Sequence, residues 1–132
     1  MTLARRVFAI AGIYGIIVLL PLFAGASEFS LRNPPALTHP VFYWGFAGCA
    51  MAWQFAFLVI ARDPVRYRAL MLPGVAEKLI FGIATVALYL AGETSPTFLG
   101  GAIVDLILGA FFLLSDDPRV LALRLGNHAD VV

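Results

Sequence analysis

Residues 98–114 read FLGGAIVDLILGAFFLL, an apolar run with a single carboxylate, Asp105, inside it. Gly101 lies four residues before Asp105 and Gly109 four after, so all three share one helical face. An Asp near the centre of a membrane helix costs about 2.5–3.5 kcal/mol, and each Leu, Ile, Phe or Val returns about 0.3–0.6 kcal/mol. Eleven such residues flank Asp105 in this run. Their sum slightly exceeds the penalty, which predicts an inserted helix with Asp105 turned toward neighbouring helices and away from lipid.

The rest of the chain agrees with a lipid solvent. Of 132 residues, 61% are hydrophobic and 13% charged, and the mean hydropathy is +0.92. Soluble domains carry about a quarter charged residues. The formal net charge is +1, and no basic block exceeds two adjacent residues, which excludes a nucleic-acid partner. Cys49 is the single cysteine. It cannot form an internal disulfide and reads as a small packing residue.

Four helices are expected, over about 7–27, 41–61, 75–92 and 97–115, forming an all-α bundle of two antiparallel hairpins in one domain. The first run follows Arg5-Arg6 and lacks charge. It also admits a signal-peptide reading, with Ala24-Gly25-Ala26 before Ser27 as the cleavage site; a retained helix is favoured, because the run is longer than a signal core. Asn33-Pro34-Pro35 and His39-Pro40 predict a non-helical loop over 28–40. Phe42, Tyr43 and Trp44 open the second helix as an aromatic belt. Gly48, Ala52 and Ala56 recur along it as a small-residue seam for a packed neighbour. Residues 65–74, VRYRALMLPG, are expected in the headgroup layer, with Pro73-Gly74 breaking the chain before the third helix.

With the N-terminus in the cytoplasm, four crossings put eight of nine basic residues on the cytoplasmic side, leaving Arg32 outside. This predicts cytoplasmic N- and C-termini in a bacterial cytoplasmic membrane. Pro40, Phe42 and Gly45 match Pro96, Phe98 and Gly101 in spacing. Asp63-Pro64 matches Asp117-Pro118, a pattern that a parallel duplication would leave.

Asp105 is the leading candidate for chemistry. By depth it is expected to meet Thr85 or Tyr89 on the third helix, either as a structural hydrogen bond or as the floor of an outward-opening ligand pocket. Trp44, Tyr43 and His39 are candidates for the rim. Gly101 and Gly109 would leave room beside the acid. Glu77 and Lys78 are neighbours on a helix and point apart, so Glu77 is assigned to interfacial ion pairs with Arg62, Arg66 or Arg68. Lys78 is expected to extend to the membrane surface. Gln54 is read as interhelical glue. No spacing of His, Cys, Asp and Glu suggests a metal, and no phosphate loop, nucleophile elbow or dinucleotide fingerprint occurs, so no cofactor is expected.

HPVFYWGFAGCAMAWQ, the apolar run after it, and ARDPVRYRALMLPGVAEKL together resemble the DoxX-like group of small bacterial four-helix membrane proteins. The resemblance spans residues 38–114 and rests on layout and the Asp-Pro…Arg-Tyr-Arg turn. It implies a four-helix bundle of the cytoplasmic membrane and carries over no catalytic residue. Three functions are compatible with the sequence. The first is a non-enzymatic accessory or partner-binding bundle, alone or as a homo-oligomer. The second is a binder or transporter of a small lipophilic molecule. The third is a membrane enzyme using Asp105 or Glu77 as acid or base. A filled space around Asp105 favours the first, a cavity the second, and Glu77 close to Asp105 the third.

Overall fold

A computed structural model describes residues 2–34 and 36–115. Five α-helices follow in order: α1 (Leu3–Leu19), α2 (Ala26–Arg32), α3 (Pro40–Arg62), α4 (Met71–Leu90) and α5 (Pro96–Ser115). Four segments are long and apolar enough to cross a membrane: Leu3–Ala24, Pro40–Arg62, Arg68–Leu90 and Pro96–Ser115. The protein is an all-α, multi-pass bundle of two antiparallel hairpins. α1 packs along α3 and α4 along α5, and contact between α1 and α5 joins the pairs. The end where residues 63–70 cross from α3 to α4 is called lower here. The end carrying α2 and the 91–95 turn is upper.

Local chemistry sets the helix ends. Thr2 caps α1 by accepting a hydrogen bond from the Arg5 amide. Pro21 falls where α1 tightens into a 3-10 turn, Leu20–Ala24. Gly25 then reverses the chain at φ 139°, a region closed to side chains with a Cβ. The expected loop over 28–40 is instead partly helical. Its polar side chains satisfy the ends of α2: Asn33 Nδ2 donates to the Phe29 carbonyl at 3.1 Å, and the Leu37 amide donates to Ser30 Oγ at 2.9 Å. Pro73 does not break the chain before α4. It sits in the first turn, where no amide hydrogen bond is lost. Asp117-Pro118, half of the duplication pattern, lies outside the described residues.

The lower half of the bundle is closed by aromatic packing. Phe8, Phe57 and Phe112 are each 0% exposed. Phe8 stacks on Phe112 with centroids 4.1 Å apart, and Phe57 meets Phe112 edge-on at 5.0 Å. One ring each from α1, α3 and α5 thus meets at a point. Gly74 brings α4 close, since a Cβ there would lie 3.0 Å from Phe57 Cε1. Higher up, Gly82 lets α4 settle onto Leu106 and the Ala102 carbonyl of α5.

The buried face of α3 carries Tyr43, Ala47, Ala50, Gln54, Phe57 and Ile60. The expected seam of Gly48, Ala52 and Ala56 lies off this face: Gly48 and Ala52 are exposed, and a Cβ on Gly48 would meet nothing within 4 Å. A four-residue spacing marks a stripe without saying which way it turns. The large aromatic residues decided the direction.

Because lipid is as apolar as the core, packing rather than transfer from water holds these rings. At about 24 cal/mol per Å³, a void of about 100 Å³ left by Phe8→Ala would cost about 2 kcal/mol. Ile10→Ala, at a position 63% exposed, should change little. Unfolding by SDS titration from mild detergent checks this, and equal losses at both positions would place the centre of packing elsewhere.

Candidate functional site

Asp105 faces the bundle, but its partner is Lys78. The Lys78 ammonium donates to Asp105 Oδ1 at 3.0 Å. This overturns the expected contact with Thr85 or Tyr89, and the register explains why. α4 stops at Leu90, and residues 91–95 form the turn. Asp105 therefore stands near the middle of α4, about level with Gly82 and below Thr85, within reach of the lysine from one turn lower.

Lys78 also departs from its expected place at the membrane surface, being 4% exposed. Its Cβ lies level with Gly109, 3.3 Å from where a Cβ on that glycine would be. From there the side chain rises one helical turn to Asp105, away from the nearer membrane face. Gly109 thus packs as expected, and the partner it admits is the stem of the lysine.

Glu77 joins the same cluster. Its Oε2 lies 3.3 Å from the Lys78 ammonium, without hydrogen-bond geometry among the described residues. Adjacent helical residues leave the backbone in different directions, but four methylenes let the lysine swing back. The expected ion pairs of Glu77 with Arg62 or Arg66 do not form. Arg62 instead accepts, at its carbonyl, a 2.6 Å hydrogen bond from Arg5 Nη2. The Arg66 amide donates to Asp63 Oδ1 at 3.2 Å. The ring of Phe57 completes the surroundings of Lys78, with its centroid 5.3 Å from Nζ. The charged cluster therefore rests directly on the aromatic plug.

Above it lies a cavity of about 410 Å³. On each long helix the lowest lining residue is Tyr14, Gln54, Glu77 or Asp105, and the lining continues upward to Glu28, Phe29, Arg32 and Asn33 of the α2 region. The cavity is thus blind at the charged end and bounded by α2 at the other. Its walls include Val18, Leu22, Phe46, Phe81 and Phe98. Gly101 is a wall residue and not a packing residue, since a Cβ there would meet nothing within 4 Å. Gln54 is 2% exposed. Its Nε2 donates to the Ala50 carbonyl of its own helix at 2.9 Å, while its Oε1 finds no donor among the described residues. It is not the interhelical hydrogen bond expected of it. Gly15 makes room for it, because any Cβ there would overlap the Gln54 amide.

The expected rim residues lie elsewhere. Tyr43 is 6% exposed and donates to the Leu22 carbonyl at 2.5 Å, tying α3 to the turn after α1. Trp44 packs edge-on against Tyr43 and near Phe23. His39 is exposed, with Nδ1 2.9 Å from Thr38 Oγ1. Thr85 is buried and Tyr89 is 36% exposed, both outside the cavity lining. Tyr14, Gln54, Phe46 and Phe81 line the cavity and were not singled out in the sequence as its walls. The spacing of Glu77 and Lys78 before a short uncharged run was the available signal for a buried ion. Among the described residues no group of His, Cys, Asp and Glu is placed to hold a metal ion.

Comparison with protein-family models, with curated proteins and with solved structures returns no match for this chain.

One ammonium serving two carboxylates predicts unequal losses. Lys78→Met strands both acids and should cost about 3–5 kcal/mol of unfolding free energy. Asp105→Asn should cost less, because Glu77 stays beside the ammonium. A double-mutant cycle by SDS unfolding should give a coupling of about 1–3 kcal/mol. Additive losses would remove the pair as a stabilising contact.

Proposed function

We propose that this protein binds a small lipophilic molecule in the upper half of the bundle, as a carrier or transporter in a bacterial cytoplasmic membrane. The cavity is the observation that carries this reading. A bundle serving only as an accessory subunit or docking partner has no need of an apolar space ending on buried charges. Apolar pockets with a few convergent polar groups are the usual form of small-molecule sites. The excess of arginine at the lower end supports a reading with both termini in the cytoplasm and the α2 end outward. The ligand then enters from the outer side or from the outer leaflet.

A second reading, a membrane enzyme acting on a lipid-like substrate, is favoured by one observation: Glu77 and Asp105 converge on the same ammonium. The resemblance to DoxX-like proteins fits a small bundle of this kind and distinguishes none of these activities.

Gly101 provides the test, because a side chain placed there enters the cavity without touching the ion cluster. Native mass spectrometry of the protein released from mild detergent should find a lipophilic molecule retained by the wild type. It should be absent from Gly101→Phe, which should still unfold in one cooperative transition, its midpoint lowered by no more than the lost ligand accounts for. A wild type that retains nothing, or equal retention by both, would refute the reading. A retained molecule whose mass changes in Glu77→Gln would instead favour the enzyme.

A further inference from the structure

The blind end of the cavity holds charges of unequal number. Glu77 and Asp105 supply two carboxylates, and Lys78 is the cation between them. The next cation along the lining, Arg32, stands at the opposite, α2 end and is held by Glu28 at 2.8 Å. Gln54 adds a carbonyl oxygen without a donor among the described residues, on a side chain 2% exposed. Acceptors thus outnumber donors at the floor. The ammonium that serves them is already committed to Asp105 and to the face of Phe57. A surplus carboxylate in a low-dielectric site is costly unless a positive charge or a proton reaches it.

The walls above are aromatic and aliphatic, so whatever brings that charge must have an apolar body. We infer that the cavity takes amphipathic amines, with a lipophilic body between Val18, Phe46, Phe81 and Phe98 and a protonated amine beside Glu77 and Asp105. The inference rests on the ligand-binding reading above and adds the chemistry of the head group. An acid of the same length could reach Lys78 only by standing against two carboxylates. An alcohol could donate one hydrogen bond and would leave the charge unbalanced.

The three cases separate with chain-matched probes. Radiolabelled dodecylamine, dodecanol and dodecanoate are equilibrated by dialysis with the protein in phosphatidylcholine nanodiscs, and empty nanodiscs set the background. At neutral pH dodecylamine should bind about tenfold more tightly than dodecanol, the increment of a charge-assisted over a neutral hydrogen bond. Dodecanoate should bind least. Glu77→Gln should bring amine and alcohol to the same affinity, and Asp105→Asn should narrow the gap should the first variant fail to fold. Gly101→Phe should abolish specific binding of all three.

Equal binding of amine and alcohol to the wild type, both lost in Gly101→Phe, would overturn the head-group inference and leave the cavity reading standing. Tighter binding of dodecanoate would overturn it as well. No binding above the empty-nanodisc background would bring down the cavity reading and this inference together.

Discussion

A lysine held inside the bundle is the constraint on which the other features depend. Lys78 is nearly inaccessible, and its ammonium lies 3.0 Å from Asp105. Taking both ions out of water is expensive, and their attraction repays it only in close geometry. That geometry fixes the register of α4 against α5, because the lysine stem must pass Gly109 to reach the acid. A shift of one residue along α4 would turn Lys78 off this face, and one along α5 would turn Asp105 off it. The pair is therefore better understood as specifying how the hairpin assembles than as a large source of stability.

Beneath the ions and above them the bundle has opposite characters. Below, Phe8, Phe57 and Phe112 fill the space to the point of full burial. Above, Ala50 and Gly101 line open space where larger residues would have continued the same packing. A core built to one density throughout would have no cavity. The change happens at the level of the charges, so the apolar space ends on buried groups that can recognise polarity.

The architecture was largely legible in the sequence, and the site only in part. The helices over 40–62 and 96–115 were readable because uncharged runs of membrane length ended at prolines and at charge. Asp105 stood out as a lone acid in such a run. Its partner did not, because Lys78 sits close enough to a helix end that surface extension was the ordinary expectation. Pairing depth depends on the length of the 91–95 turn, which the sequence gives only approximately. The rim residues failed for a related reason. Tyr43 carries an aromatic belt's composition, yet its hydroxyl is spent on the Leu22 carbonyl. The cavity walls were invisible because they are ordinary apolar residues, made special by what is missing opposite them.

Burial of Lys78 also bears on how the chain enters the bilayer during synthesis. α4 reaches the membrane first, with Glu77 and Lys78 both within its span. A lysine near a helix centre costs about 2.5–3.5 kcal/mol on the translocon scale, and Asp105, which accepts its hydrogen bond, has yet to be made. Only the five-residue turn 91–95 separates the two helices. α5 therefore emerges while α4 is still beside the insertion machinery, and the second hairpin is suited to leave for lipid with Lys78 already paired to Asp105 rather than helix by helix.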